Sequence, residues 1–189
     1  MPAKVTIIRK LSKSPMLINA ALFQCVWFAC VIGSAYQLLW PAVLSCLALM
    51  VWQLHPIRRH TNDFKLLALS VLLALVVDTT WIQIGFMQFT DQRLIAAISP
   101  LWIILLWMGF ALTINHSLAW LSLHPLLPVA MGLIGGPLSY YAGLRIGAVE
   151  YLRDPLLISA CLALAWGLSM VIMVRLGQGK QVAAKSKTR

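Results

Sequence analysis

Residues 64–89 read FKLLALSVLLALVVDTTWIQIGFMQF, an apolar run with a lysine at its start and a single acid, Asp78, deep inside it. A bilayer crossing needs about 20 apolar residues, so this run is long enough to span. Directly before it lies the most polar short loop in the interior of the chain, His55-Pro56-Ile57-Arg58-Arg59-His60-Thr61-Asn62-Asp63. A buried acid and a basic, histidine-bearing porch are the two features that can carry function.

The rest of the chain has the same character. Of 189 residues, 61% are hydrophobic and 11% charged, with a mean hydropathy of +0.86. A soluble domain carries about a quarter charged residues, so the bilayer is the solvent. Besides 64–89, spans are expected at 16–34, 36–54, 97–115, from Pro125 or Pro128 to near Gly143, and 155–176. Pro100 is expected in the first turn of its helix and Pro137 as a kink within the fifth. The fold class is therefore all-α, a six-helix transmembrane bundle over 16–176. It is flanked by a basic N-terminus, 1–15, and a basic tail, 177–189, read as disordered. A basic start before an apolar run also describes a cleaved signal peptide, but residues 16–34 exceed a typical signal core.

The net charge of +10 sits in the tails and one loop rather than on a folded face, so nucleic acid is not an expected partner. Twelve Lys and Arg fall in the N-terminus, the 55–65 region and the C-terminal end, and three, Arg93, Arg145 and Arg153, elsewhere. That asymmetry places both termini in the cytoplasm and the protein in a bacterial inner membrane, as a multi-pass chain. Cys25, Cys30, Cys46 and Cys161 all lie in apolar segments without a Cys-x-x-Cys pair. They read as small buried residues rather than as a disulfide or zinc framework.

Asp78 lies about 14 residues, or roughly 21 Å, from the cytoplasmic start of its helix. An intramembrane acid is a functional-site hypothesis by default; a structural hydrogen bond to a neighbouring helix is the other reading. Ser139, Tyr140 and Tyr141, in the run Gly135-Gly136-Pro137-Leu138-Ser139-Tyr140-Tyr141, come to about 20–23 Å by the same count. Tyr140, Tyr141 or Ser139 is thus expected to donate to Asp78, with Arg145 as a charge partner, and these five residues form a candidate ligand site. Gly132/Gly136 and Gly143/Gly147 have small-x-x-x-small spacing, which suits close helix packing. A helix broken at Pro137 would line a cavity instead. Arg58, Arg59, His60 and His116 form a candidate anion or headgroup site, although such loops are basic for topology alone. Four histidines and Asp63 are too few for a di-iron centre; a mononuclear metal site at His55, His60 and His116 is the alternative reading, and no metal or cofactor is expected. Ser139 lacks the strand–turn–helix setting of a nucleophile elbow.

Trp27, Asp78-Thr79-Thr80-Trp81, Asn115-His116-Ser117 and Gly136-Pro137-Leu138-Ser139-Tyr140-Tyr141 together resemble a family of small proteobacterial inner-membrane proteins described only as a domain of unknown function. The resemblance covers roughly 16–176. It implies a multi-pass inner-membrane protein, often encoded near fatty-acid-modifying genes, and assigns no catalytic residue. Three functions compete. The first is binding or handling of a lipid or other amphipathic molecule. The second is a small-solute transporter subunit resembling an energy-coupling substrate-binding component. The third is a non-catalytic accessory subunit. Membrane lipids and a membrane-protein partner are the expected associations; whether the chain is an enzyme stays open.

Overall fold

A computed structural model describes residues 2–90 and 98–178, with side chains from Ser14 onward. The chain is mostly helical, with six helical rods among the described residues. These are α1 (Pro2–Ala35), α2 (Trp40–Gln53), a rod made of α3 (Asp63–Leu73), one π-helical turn (Ala74–Asp78) and α4 (Thr79–Gln83), then α5 (Leu101–Ile114), α6 (Leu126–Ile146) and α7 (Pro155–Gln178). Three stretches, Ser14–Ala35, Asp63–Gln83 and Pro155–Gln178, are long and apolar enough to cross a membrane. Helices α2 and α5 are apolar but short. Helix α6 is as long as the spanning stretches, but its four glycines, two prolines and two tyrosines dilute its hydropathy.

Helix α5 is the axis of the bundle. It packs against α1, α2, α3 and α7, while α6 and α7 form the closest helix pair. Its sequence, LWIILLWMGFALTI, is apolar all round, as a helix enclosed on every side requires. Trp102, Trp107 and Leu112 on it are fully buried.

Two short strands correct the all-helical reading. β1 (Met87–Phe89) pairs antiparallel with β2 (Val149–Tyr151), with Met87 opposite Tyr151 and Phe89 opposite Val149. The helix expected to run to Phe89 stops at Gln83 because Gly85 takes a left-handed φ of 66°. Gly85 N–H then donates to Ile82 O and Phe86 N–H to Trp81 O, a Schellman closure. Its accompanying apolar contact is Phe86 stacked on Trp81. Gly147, with φ 89°, ends α6 the same way: its N–H donates to Leu144 O and Ala148 N–H to Gly143 O. Both rods are turned into strands at the same end of the bundle, where Met87, Phe89 and Val149 are buried beneath exposed Gln88 and Glu150.

Two other expected boundaries move, and one expected break is absent. Helix α2 starts at Trp40 rather than residue 36, since Gln37 adopts a φ of 57° and turns the chain. Pro100 caps α5 in extended conformation rather than sitting in its first turn. Its segment 91–97 lies outside the described residues, as does the tail beyond Gln178. Helix α6 is continuous through Pro137, so no broken helix occurs there. Its packing against α7 explains why. A Cβ on Gly132 would meet the Trp166 carbonyl and the Gly167 backbone, and one on Gly136 would meet the Trp166 ring. The two helices are pressed together along this edge, and the contact supports the turn weakened by proline.

Gly135, on the neighbouring face, has open space where a Cβ would be. The two glycines are therefore expected to respond oppositely. Gly132→Ala forces backbone apart and should cost about 1–3 kcal/mol, lowering the melting temperature in detergent. Gly135→Ala should leave it unchanged or raise it. Equal tolerance at both positions would contradict the close α6–α7 contact.

Candidate functional site

Asp78 ends the π-helical turn and is wholly buried. Such wide turns are rare and are frequent at functional sites. Trp107 Nε1–H on α5 donates to Asp78 Oδ2 at 2.7 Å, and the Tyr140 hydroxyl on α6 donates to Oδ1. No ion pair reaches Asp78 among the described residues. Two neutral donors thus satisfy one carboxyl group, one per oxygen, and join three rods.

Both donors have a second face. The Trp107 and Tyr140 rings line a cleft of about 250 Å³ between α1 and α6, floored by α5 and α7. Helix α1 supplies Phe23, Gln24 and Trp27. Helix α5 adds Trp102 and Phe110, and α7 adds Trp166, stacked on Trp107 with ring centroids 4.4 Å apart. The α6 wall is low along much of its length because Gly132, Gly135, Gly136 and Gly143 alternate there with Ser139 and Tyr140, Met131 standing at one end. Trp27 Nε1–H donates to Ser139 Oγ at 2.9 Å and bridges the two sides. Gln24 and Gly135 are both exposed. Gln24 lies about 15 Å from Ser14, where the apolar stretch of α1 begins, and Gly135 about 14 Å from Leu126 at the start of α6, at 1.5 Å per residue. The mouth of the cleft therefore opens sideways, at mid-helix.

A second polar cluster closes the end opposite the strands. Asp63, also wholly buried, accepts from His60 N–H at 2.7 Å, from Asn115 Nδ2 at 3.1 Å and from His116 Nε2 at 2.9 Å. His116 Nδ1 lies 3.1 Å from Gln53 Nε2, and Asn19 Nδ2 donates to Gln53 Oε1 at 2.7 Å. Since Gln53 Oε1 already accepts, its nitrogen donates to Nδ1, which leaves the histidine proton on Nε2, facing Asp63. Asn19 also donates to Leu112 O and accepts from the Ser117 hydroxyl. The cluster ties α1, α2, α3 and the end of α5 together. Asn62 extends it to α7 through Gly177 O.

The proposed site residues thus separate. Tyr140 reaches Asp78, as expected. The rods themselves are not packed along their length: α3 packs on α5 and α7, and α6 on α7 and α1. Ser139 lines the cleft without bonding Asp78. Tyr141 is 51% exposed and Arg145 is exposed at the last turn of α6, so both point away from the acid. Arg58 stacks on Trp52, 3.7 Å from its ring centroid, and donates to Trp52 O. Arg59 lies over Phe64, and His116 has both ring nitrogens engaged. No group of three or more His, Cys, Asp or Glu poised to hold a metal ion occurs among the described residues. Sequence reasoning missed Trp107, whose N–H is invisible in an apolar run, and Asp63, which reads as loop. It also missed Asn19 and Gln53, lone amides inside spans that could have been flagged on the same grounds as Asp78.

Residues 16–172 match the family model described as a protein of unknown function, DUF2878, so the chain belongs to that family. No curated protein and no solved structure matches it.

The arrangement around Asp78 makes charge and shape separable. Asparagine can accept from Trp107 and donate to the Tyr140 oxygen, so Asp78→Asn should fold with near-normal stability. Asp78→Leu strands two buried donors at about 1–2 kcal/mol each and should melt several degrees lower. Equal stability of the two variants in thermal unfolding would exclude this bonding scheme.

Proposed function

We propose that this member of a family of unknown function is a six-span inner-membrane protein, both termini cytoplasmic, that binds a lipid or other amphipathic molecule in the cleft between α1 and α6. The observation that carries the reading is the position of the mouth. Gln24 and Gly135 border it near the middle of the apolar stretch Ser14–Ala35 and of α6, where bilayer rather than water would meet a six-span protein. Apolar walls with a few fixed polar groups are the usual make-up of a small-molecule site. A volume of about 250 Å³ suits part of a chain, the remainder staying in the bilayer.

The six-span topology draws on two features. The strand pair joins the ends of α4 and α6, and the Asp63 cluster joins the opposite ends of α2, α5 and α7 to the start of α3 and to Asn19, near the start of the apolar stretch Ser14–Ala35 of α1, as alternating crossings require. The Lys and Arg asymmetry then sets the Asp63 end toward the cytoplasm. Short α5 is accommodated in this scheme where irregular backbone at membrane depth is covered by protein: Phe86 and the ribbon residues Met87, Phe89 and Val149 pack on the core. The Arg58–His60 loop serves as a separate surface contact for anionic headgroups, Arg59 being exposed.

Gly135 allows a direct test, because a side chain there enters the cleft without striking backbone. Gly135→Leu is expected to abolish the lipid that copurifies in mild detergent, read by mass spectrometry, with melting temperature preserved. An unchanged lipid profile in a stable variant would count against the cleft. For topology, reporter fusions after Arg189 and within 56–62 should read cytoplasmic and one at Gly147 periplasmic; a periplasmic C-terminus overturns the six-span arrangement.

A further inference from the structure

The cleft contains hydrogen-bond donors that nothing in the protein uses. Trp102 lines it and is 2% exposed, yet its Nε1–H has no partner. Ser139 Oγ accepts from Trp27, which leaves its own hydrogen to donate. The other polar groups of the interior wall are already engaged: Trp27 with Ser139, Trp107 and Tyr140 with Asp78. A buried N–H without a partner forfeits about 1–3 kcal/mol relative to water, and native interiors seldom leave one so. The wall therefore presents two unspent donors, the Trp102 N–H and the Ser139 hydroxyl, while its side-chain acceptors are the hydroxyl oxygens of Ser139 and Tyr140 and the Gln24 amide at the mouth. It also contains no charged residue, so nothing there would balance an anion, whose transfer into an apolar site is costly.

We infer that the cleft selects a neutral lipid bearing a carbonyl, such as an ester or ketone, whose oxygen accepts from Trp102 and its neighbours while the chain lies along the aromatic walls. This rests on the cleft reading above and narrows it: an uncharged lining with a buried, unpartnered N–H discriminates against fatty acid anions, against alkyl ammonium ions and against plain hydrocarbon. A phosphate headgroup belongs outside, at the basic loop, and not among these indoles.

The test is saturable binding of radiolabelled methyl palmitate to the full-length protein in dodecyl maltoside, competed by unlabelled hexadecane, palmitate or hexadecylamine at pH 8. Methyl palmitate should displace the label at a concentration at least tenfold below that needed for each of the three. A tenfold preference corresponds to about 1.4 kcal/mol, the scale of one net hydrogen bond. In Trp102→Phe, which keeps the ring but lacks the donor, the advantage of methyl palmitate over hexadecane should fall below threefold. That ratio is internal to each protein, so a general loss of affinity does not mimic it. If Trp102→Phe does not fold, the wild-type ratios alone decide. Equal competition by hexadecane, or stronger competition by palmitate, overturns the carbonyl inference and leaves the cleft intact as a lipid site. Binding of methyl palmitate that is not saturable, or that is unchanged in Gly135→Leu, overturns both.

Discussion

A carboxyl group wholly buried among leucines and valines must have both oxygens satisfied from within the protein, and at Asp78 this constraint positions much else. Tyr140 and Trp107 each spend their one hydrogen on it. A tyrosine has one hydroxyl and a tryptophan one N–H, so each ring is fixed at a single angle once that hydrogen is committed. The rings fixed in this way are cleft walls. Asp78 itself does not line the cleft; it acts on the cleft through the two residues it holds. The same bonds secure α4 to α5 and reach α6, which otherwise packs mainly on α7. A bond of this kind is worth only about 1–2 kcal/mol in a membrane, so its importance lies in orientation more than in total stability.

The glycines of α6 have two opposite uses. Gly132 and Gly136 let α7 approach until backbone and the Trp166 ring fill the space a side chain would occupy. Gly135, one position from Gly136, leaves a void on the cleft side. In a bilayer, helices gain little from hydrophobic exclusion and associate through close packing. The α6–α7 edge supplies that packing, and it allows the other edge to stay open. Small-x-x-x-small spacing taken alone predicts the first use and says nothing of the second.

The helical rods were readable as apolar runs, and Tyr140 was paired with Asp78 by a depth count along two helices. The depth count could not supply azimuth. It treated Ser139, Tyr140 and Tyr141 as equal, whereas the turn of the helix points Tyr140 inward, Ser139 into the cleft and Tyr141 outward. Strands β1 and β2 escaped notice because MQF and VEY are too short for a periodic signal. Gly85 and Gly147, each a helix-ending glycine before an alternating triplet, were the available cue. The Asp63 cluster joins residues from Asn19 to Gly177. Its members are far apart in the chain, and each alone reads as an ordinary polar residue at a helix end.

The two ends of the bundle differ in how they are closed, and the difference bears on access. At one end the Asp63 cluster engages amide, imidazole and backbone groups from five rods, so separating any one strands buried polar atoms in the others. At the other end the strands carry Val149 onto the cleft, where it meets Gly143 and forms part of the wall. Between these ends the α1–α6 seam is the loosely packed one: its contacts are few, and the Trp27–Ser139 bond is the side-chain hydrogen bond that crosses it among the described residues. The two ends are thus tied by polar networks and buried strand residues, whereas α1 and α6 are held to each other chiefly through Trp27 and Ser139, so this contact is the one whose loss would open the cleft at least cost to the rest of the fold.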